Sequence, residues 1–171
     1  MKKRSGSIKK NSIFAAAMPS IEELNIDLRT AASEGKPILV HLRDDFFNAL
    51  EQSEINGGDV QVTLHITEPT THRFKVCLSI EGSVSVMCDR CLENVSLNIE
   101  AKDAYSISAE DTDCEDDELR ILPPGVGYKY DFSWDIYELA ALSLPIQRVH
   151  DGDSCNAEMA ALLENIRVSE E

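Results

Sequence analysis

Two cysteines separated by two residues are the most chemically distinctive feature of the chain: Cys88 and Cys91, in the tetrapeptide Cys-Asp-Arg-Cys. Zinc–sulfur bonds measure about 2.3 Å, so two sulfurs that share a tetrahedral ion lie roughly 3.8 Å apart, which a C-x-x-C turn allows. A structural zinc ion needs four ligands. The further candidates are His150 and Cys155, because residues 151–153 predict a loop that can fold back onto the pair. The sequence therefore predicts a Cys3His site for structural zinc.

Two other interpretations of the cysteine pair stay open. A thiol–disulfide redox centre would place the cysteines at the start of a helix in a βαβ context. Here valines at strand spacing stand on both sides of the pair, at Val84, Val86 and Val95. Alternatively, the two thiols are small apolar groups buried in the core. Cys77, on the polar side of a strand pattern, and Cys114, in an acidic segment, are interpreted as incidental.

No pattern of catalytic residues accompanies the pair. The chain contains no Gly-x-Ser-x-Gly, phosphate-binding loop, His-Glu-x-x-His or Gly-x-Gly-x-x-Gly motif. His41, His65 and His72 are scattered, and a histidine without a partner nearby in sequence is a poor general base. Asp135 and Glu138 are interpreted as helix-cap and solvated-face residues rather than as an acid–base pair. We therefore expect that the protein is not an enzyme.

Alternating apolar and polar residues predict a sheet that carries the cysteine pair. This period of two places one strand face in the core and the other in water, as is typical of antiparallel sheets. The cysteines then lie at the tip or shoulder of a hairpin. Gly57-Gly58, Pro69 and Gly82 are interpreted as connections between strands. The predicted strands fall around residues 24–28, 38–42, 60–66, 74–80, 84–86 and 95–99, the last continuing toward 107.

Fewer segments have the period of a helix. Residues 44–52 predict a short one, Ser133 is a candidate N-cap for a second that stops before Pro145, and Asn156 is a candidate N-cap for a third. The fold class predicted from these elements is α+β. Its curved antiparallel or barrel-like sheet comprises residues 58–108 plus an N-terminal strand, and two or three helices pack at one end.

The charge distribution limits the partners that the protein can have. Its formal net charge is −15, and five of the sixteen basic residues lie among the first ten positions. The remaining eleven face thirty-one acidic residues, a balance of −20 from residue 12 onward. Affinity for nucleic acid comes largely from basic side chains that displace counterions, so we expect weak direct RNA binding, if any. A basic protein partner suits this body better.

Composition also predicts the organisation of the chain. Residues 1–19 are interpreted as a flexible basic tail and residues 20–168 as a single domain. Seven carboxylates in the nine positions 110–118 predict an extended, mobile loop. No apolar run approaches the roughly 18 residues that span a membrane. Five cysteines, an odd number, fit a reducing compartment, and we expect a cytoplasmic protein.

Three segments resemble the bacterial YceD family. Residues 81–93 are similar to its central motif, in which a strand leads into Cys-x-Arg-Cys. Residues 135–155 resemble the family segment in which an acidic helix runs into Leu-Pro-Ile, then Val-His-Asp and then Cys. A second proline commonly precedes the histidine there, where this chain has Gln147 or Arg148. Residues 43–54 lie where the family often has a short helix before its sheet.

The resemblance implies a non-enzymatic role in producing the large ribosomal subunit, through accumulation of its ribosomal RNA. The partner would be a basic protein or a ribosomal precursor particle. The order of the two cysteine motifs, about sixty residues apart, also implies that Cys88, Cys91, His150 and Cys155 belong together. The alternative function is a zinc-stabilised protein–protein interaction module unrelated to ribosome assembly.

Overall fold

The computed structural model describes residues 24–110, 119–151, 154–159 and 161–162. The tail expected at residues 1–19 and most of the acidic segment lie outside these ranges, so the expectations about them stay predictions. In chain order, the elements are β1 (Asn25–Asp27), α1 (Leu28–Glu34), β2 (Ile38–Leu42), α2 (Asp44–Ala49), β3 (Ile55–Thr70), β4 (Arg73–Met87), β5 (Asn94–Ser108), β6 (Leu119–Ile121), β7 (Lys129–Asp131) and α3 (Ser133–Leu142).

Three long strands form the centre of a five-stranded sheet with the order β2-β3-β4-β5-β6. Neighbouring strands are antiparallel, except that β6 runs parallel to β5. In the described part of the chain, β2 and β6 stand at opposite edges and do not pair, so this sheet is open and does not close into a barrel. Strands β1 and β7 form a separate antiparallel pair. The predicted α+β class, with a mostly antiparallel sheet, is confirmed.

The positions interpreted as connections lie inside strands, and that prediction is wrong. Gly57-Gly58 and Pro69 belong to β3, and Gly82 belongs to β4. A Cβ atom at Gly82 would lie 2.2 Å from the carbonyl oxygen of Asp59, and Gly82 has a φ of +156°. Glycine is therefore required there by close strand approach rather than by a turn. The true connection between β3 and β4 is a two-residue turn at Thr71 and His72.

The strand predicted over residues 24–28 is shorter than expected, because Leu28 begins α1. Asp27 caps this helix: its Oδ1 accepts a hydrogen bond from the Thr30 backbone N–H at 2.9 Å. Gly35 ends it with a φ of +61°, the left-handed conformation common after helices. A cap and a C-terminal glycine around seven residues thus override the period-two pattern of Leu24, Ile26 and Leu28.

The other helices begin close to the predicted positions. Helix α2 starts at Asp44, as predicted, and α3 ends three residues before Pro145. Ser133 is not the N-cap of α3, however. Phe132 occupies that position, and the buried Ser133 hydroxyl has no hydrogen-bond partner among the described residues. Asn156 does cap the helical residues 157–159, because its Oδ1 accepts from the backbone N–H groups of Glu158 and Met159.

The core lies between the inner face of the sheet and the helices. Alternate residues of β3 and β4 are buried, including Val62, Leu64, Val76 and Leu78. The helices contribute further buried side chains, among them Phe47 of α2 and Ile136 of α3. Burial of alternate side chains pins the register, because a slip of one residue would expose the whole apolar face. Among the described helices, none is long and apolar enough to cross a membrane.

Candidate metal centre

The turn between β4 and β5 carries the cysteine pair and is closed by backbone hydrogen bonds. Met87 pairs with Asn94 at the ends of the two strands. Beyond them, the Cys88 N–H donates to the Glu93 carbonyl at 2.8 Å, and the Leu92 N–H donates to the Cys88 carbonyl at 3.0 Å. Leu92 has a φ of +62°, which reverses the chain. These contacts confirm the predicted hairpin position. The cysteines lie in a turn between strands and not at the start of a helix, where a thiol–disulfide redox centre would place them.

Both thiols of the turn point into the protein. Cys88 is fully buried and Cys91 is 4% exposed. The Arg90 backbone N–H lies 3.5 Å from the Cys88 sulfur, in position to donate a weak hydrogen bond. Buried cysteines are typical of a core as well as of a metal site. The neighbouring groups therefore decide between these two interpretations.

The loop after α3 brings the other two predicted ligands to this turn. The Cys88 and Cys155 sulfurs are 3.9 Å apart, and the His150 Nδ1 lies 3.5 Å from the Cys91 sulfur and 3.8 Å from that of Cys155. All four ligand atoms fall within 4.8 Å of one another. The predicted proximity of Cys88, Cys91, His150 and Cys155, called here the Cys3His cluster, is thus observed. A purely apolar core would not require an imidazole among three sulfurs.

These distances fit a tetrahedral zinc ion. Bonds of about 2.3 Å to sulfur and about 2.0 Å to nitrogen imply sulfur–sulfur separations near 3.8 Å and slightly shorter sulfur–nitrogen separations. The donor set of three thiols and one imidazole also suits zinc, which favours sulfur and nitrogen ligands. All four positions would be filled by protein atoms, which is the pattern of a structural site rather than a catalytic one.

The orientation of His150 also fits metal binding. Its Nε2 lies 3.2 Å from the backbone carbonyl oxygen of Asn94. A carbonyl can only accept, so Nε2 carries the hydrogen and Nδ1 is left with its lone pair toward the sulfurs. Metal-binding histidines commonly donate their other N–H to a carbonyl in this way, which fixes the ring.

Within the Cys3His cluster, the thiols of Cys88 and Cys155 have opposite tendencies to ionise. Burial opposes ionisation of Cys88, but the backbone N–H groups of Cys91, Arg90 and His150 lower its pKa to about 6. Burial raises the pKa of Cys155, and its interactions with the other two sulfurs raise it further. One thiolate therefore forms readily near neutral pH, whereas zinc would have to displace the proton of Cys155.

Residues that sequence patterns did not indicate hold the loop on the turn. The Asp89 N–H donates to the Arg148 carbonyl, and the Arg148 N–H donates to the Asp89 Oδ2, both at 2.8 Å. The Arg148 guanidinium also contacts Glu54 at 3.2 Å. Farther along, the Asn156 side chain donates to Glu93 at 2.7 Å. No motif spacing signals these contacts, because the partners are at least 59 residues apart.

A second polar group lies at the start of α3 and corrects the interpretation of Asp135. This residue was interpreted as a helix-cap residue, but the N-cap of α3 is Phe132, and Asp135 is only 7% exposed. Its carboxylate accepts a hydrogen bond from the Tyr105 hydroxyl at 2.6 Å and forms an ion pair with Arg120, whose guanidinium lies 4.0 Å from the centre of the Tyr105 ring. Burial raises the pKa of Tyr105, and Asp135 raises it further. This group joins β5, β6 and α3.

The remaining sites named from the sequence lie apart from the Cys3His cluster. His65 and Cys77 are exposed on the outer face of the sheet, as predicted. His41 pairs with Asp59 at 2.6 Å, and His72, at the β3–β4 turn, contacts the Tyr128 hydroxyl at 2.6 Å. Cys114 lies outside the described residues.

Comparison with known families adds one finding. Residues 76–171, more than half of the chain, match the sequence model of a family described as "Large ribosomal RNA subunit accumulation protein YceD". The matched region contains all four residues of the Cys3His cluster. No curated protein and no solved structure matches the chain.

Proposed function

This chain belongs to the YceD family, and on that premise we propose that it is a non-enzymatic accessory protein in the production of the large ribosomal subunit. The family match, whose description names accumulation of large-subunit ribosomal RNA, carries the proposal. We place the protein in the cytoplasm, where it would act on precursor particles. Its role would be exerted through contacts with a protein or ribonucleoprotein partner.

Within this role, the Cys3His cluster would serve as a structural zinc site. Its four ligands come from the β4–β5 turn and from the loop after α3, so a shared ion would crosslink two segments that are distant in sequence. When bound, zinc supplies a rigid crosslink and no reaction. The chain's own groups orient the site: the Asn94 carbonyl fixes the His150 ring, and backbone N–H groups favour the Cys88 thiolate.

The charge of the protein supports a basic partner. Thirty-one acidic residues face sixteen basic ones, so the domain repels a bare phosphate backbone and attracts basic surfaces. A basic ribosomal component within a precursor particle fits this charge better than naked RNA does. Complementary charge would mainly accelerate the encounter and select the partner, while packed contacts would set the lifetime of the complex.

The proposal is tested by sedimentation of the tagged, full-length protein from cells that naturally produce it. We expect the protein to co-sediment with precursors of the large subunit, and its loss to reduce large-subunit RNA relative to small-subunit RNA. Raising the salt concentration should release the protein, because the expected attraction is electrostatic. An unchanged ratio of the two RNAs, with all of the protein near the top of the gradient, would refute the role in ribosome production.

The second candidate, a zinc-stabilised interaction module outside ribosome assembly, is favoured by the surface beside the cluster. Met87 and Leu92 flank the two cysteines and are 50% and 61% exposed. A contiguous patch of exposed apolar side chains marks a protein-binding site, and in this alternative the two residues would contribute to one. Capture of one protein that is absent from ribosomal particles, and that is lost on Leu92→Ser substitution, would favour this alternative.

A further inference from the structure

Asp89, the first of the two residues between the cysteines, faces the loop that brings the other two ligands. Asp89 makes three contacts with Arg148. Its N–H donates to the Arg148 carbonyl at 2.8 Å, its Oδ2 accepts from the Arg148 N–H at 2.8 Å, and its Oδ1 lies 3.5 Å from the guanidinium. Two of the three use the backbone of the loop. The turn and the loop are thus held together two residues before His150.

We propose that Asp89 is a positioning residue, which holds Arg148 against the β4–β5 turn and thereby keeps the ligands His150 and Cys155 beside the two cysteines, so that the Cys3His cluster is assembled before metal arrives. The proposal rests on the metal role proposed above. Asp89 acts through Arg148 and does not itself ligate. Its carboxylate satisfies the loop N–H, and its own N–H satisfies the loop carbonyl, which fixes the register of one segment on the other.

Arg148 extends this attachment to a third segment. Its guanidinium reaches Glu54, just before β3, at 3.2 Å, as well as Asp89. Exposed ion pairs contribute little stability, with a median of about 0 to 1 kcal/mol, and both carboxylates are well exposed. The two hydrogen bonds to the Arg148 backbone are therefore the main constraint on the position of the loop, and the guanidinium contacts further restrict its orientation.

Metal affinity depends on this attachment because the ligands are far apart in sequence. If the loop moved freely, binding would have to order it, and that entropy would be subtracted from the affinity. A loop already held on the turn has lost that freedom on folding. Residues that orient metal ligands typically change metal affinity by about 10–100-fold when they are substituted. We expect a loss of this size for Asp89→Ala.

The test compares two carboxylates that are each one residue from a ligand. Asp89→Ala and Asp151→Ala remove the same charge near the cluster, but only the first removes a hydrogen bond to the loop backbone, the one that the Asp89 carboxylate accepts from the Arg148 N–H. Cobalt and zinc affinities are measured on the full-length chain by chelator competition, and the cobalt absorption spectrum reports the ligand set. We expect the loss of about 10–100-fold for Asp89→Ala alone. Asp89→Asn, which keeps an oxygen acceptor for the Arg148 N–H, should retain most of the metal affinity of the wild type.

A measurement without metal separates positioning from coordination. In the metal-free chain, the amide hydrogen of residue 89 should be protected from exchange, because it donates to the Arg148 carbonyl. Asp89→Ala should accelerate its exchange at least tenfold, and Asp151→Ala should not. Equal affinities for the two alanine variants, or an unprotected amide in the metal-free wild type, would overturn the positioning role. A wild type that binds neither metal would overturn the metal role, and with it this proposal, even with the amide protected.

Discussion

Replacing Cys88 by serine should abolish a zinc-dependent gain in stability. A ligand that binds only the folded state stabilises it by about 2.7 kcal/mol at a hundredfold excess over its dissociation constant. In a domain of roughly this size, 1 kcal/mol corresponds to about 2–4 °C in melting temperature. Zinc should therefore raise the melting temperature of the wild type by about 5–11 °C at that excess. Because Cys88 is one of four ligands that close the cluster, Cys88→Ser should remove this shift.

The chain contains a matched control for that substitution. Cys77→Ser makes the same chemical change on the exposed face of β4, away from the Cys3His cluster, and should leave the zinc-dependent shift intact. Without metal, Cys88→Ser should still cost about 1–3 kcal/mol, because it buries a hydroxyl where a thiol was packed. Thermal unfolding with zinc and with chelator separates the two effects. An equal zinc response in both variants, or none in the wild type, would contradict the assignment of Cys88 as a ligand.

The same shift should depend on pH in a defined direction. Zinc binds the thiolates, so protons compete for Cys88, Cys91 and Cys155, and metal binding releases protons. The pKa of Cys88, about 6, lets this thiol stay ionised to lower pH than an ordinary cysteine, while the raised pKa of Cys155 makes its proton the harder one to displace. The zinc-dependent gain should be largest at neutral pH and above, and should fall as the solution is acidified. A gain that rises on acidification would contradict thiolate coordination.

Three other changes test the fold and the charge assignment. Asp27→Ala removes the α1 cap and should lower the free energy of unfolding in urea by about 1 kcal/mol. The hydrogen bond from the Thr30 N–H lowers the pKa of Asp27 in the folded state. The stability that the cap contributes should therefore be present above the unfolded-state pKa and be lost as the pH falls through the lower folded-state pKa. Asp135→Ala leaves Arg120 without its carboxylate partner and should cost up to about 3 kcal/mol. The pKa of Tyr105 should then fall toward its ordinary value in an ultraviolet titration. A chain that starts at residue 12, with a balance of −20, should bind naked RNA no better than micromolar in a filter assay at physiological salt.

The sheet and the position of the cysteine pair on a hairpin turn could be predicted because they depend on local patterns. Alternation marks each long strand, and cysteines at a two-residue spacing fit a turn. The interpretation of Gly82 as a turn residue was wrong because glycine is also required where backbones approach closely, and only the pairing of β3 with β4 reveals that approach at Asp59. Helix α1 was missed because Leu28 fits both the strand period and the start of a helix.

Polar pairs that join distant segments could not be predicted from one sequence. Arg120 lies on β6, a three-residue strand that pairs in parallel with β5, and nothing local connects it with Asp135. Asp89 could be read only as a charge beside the cysteines, since its partner is 59 residues away. The interpretation of Asp135 as a helix-cap residue missed its contacts with Arg120 and Tyr105 for the same reason. Period and spacing describe neighbours, whereas burial of a carboxylate is decided by tertiary contacts.

Strand β5 is the common support for both ends of the segment that carries the ligands. Asp135, in the first turn of α3, contacts Tyr105 near the end of β5, and His150 contacts Asn94 at its beginning. Eleven steps along a strand cover about 37 Å. The chain from Asp135 to His150 can cover about 14 Å over the helix and the turn that follows it, as far as Leu144, and roughly 20 Å as extended chain beyond, and the side chains at both ends add a little reach. The segment between α3 and His150 therefore has little spare length, so the distance in sequence between Asp135 and His150 must match the length of β5 for His150 to meet the cysteines.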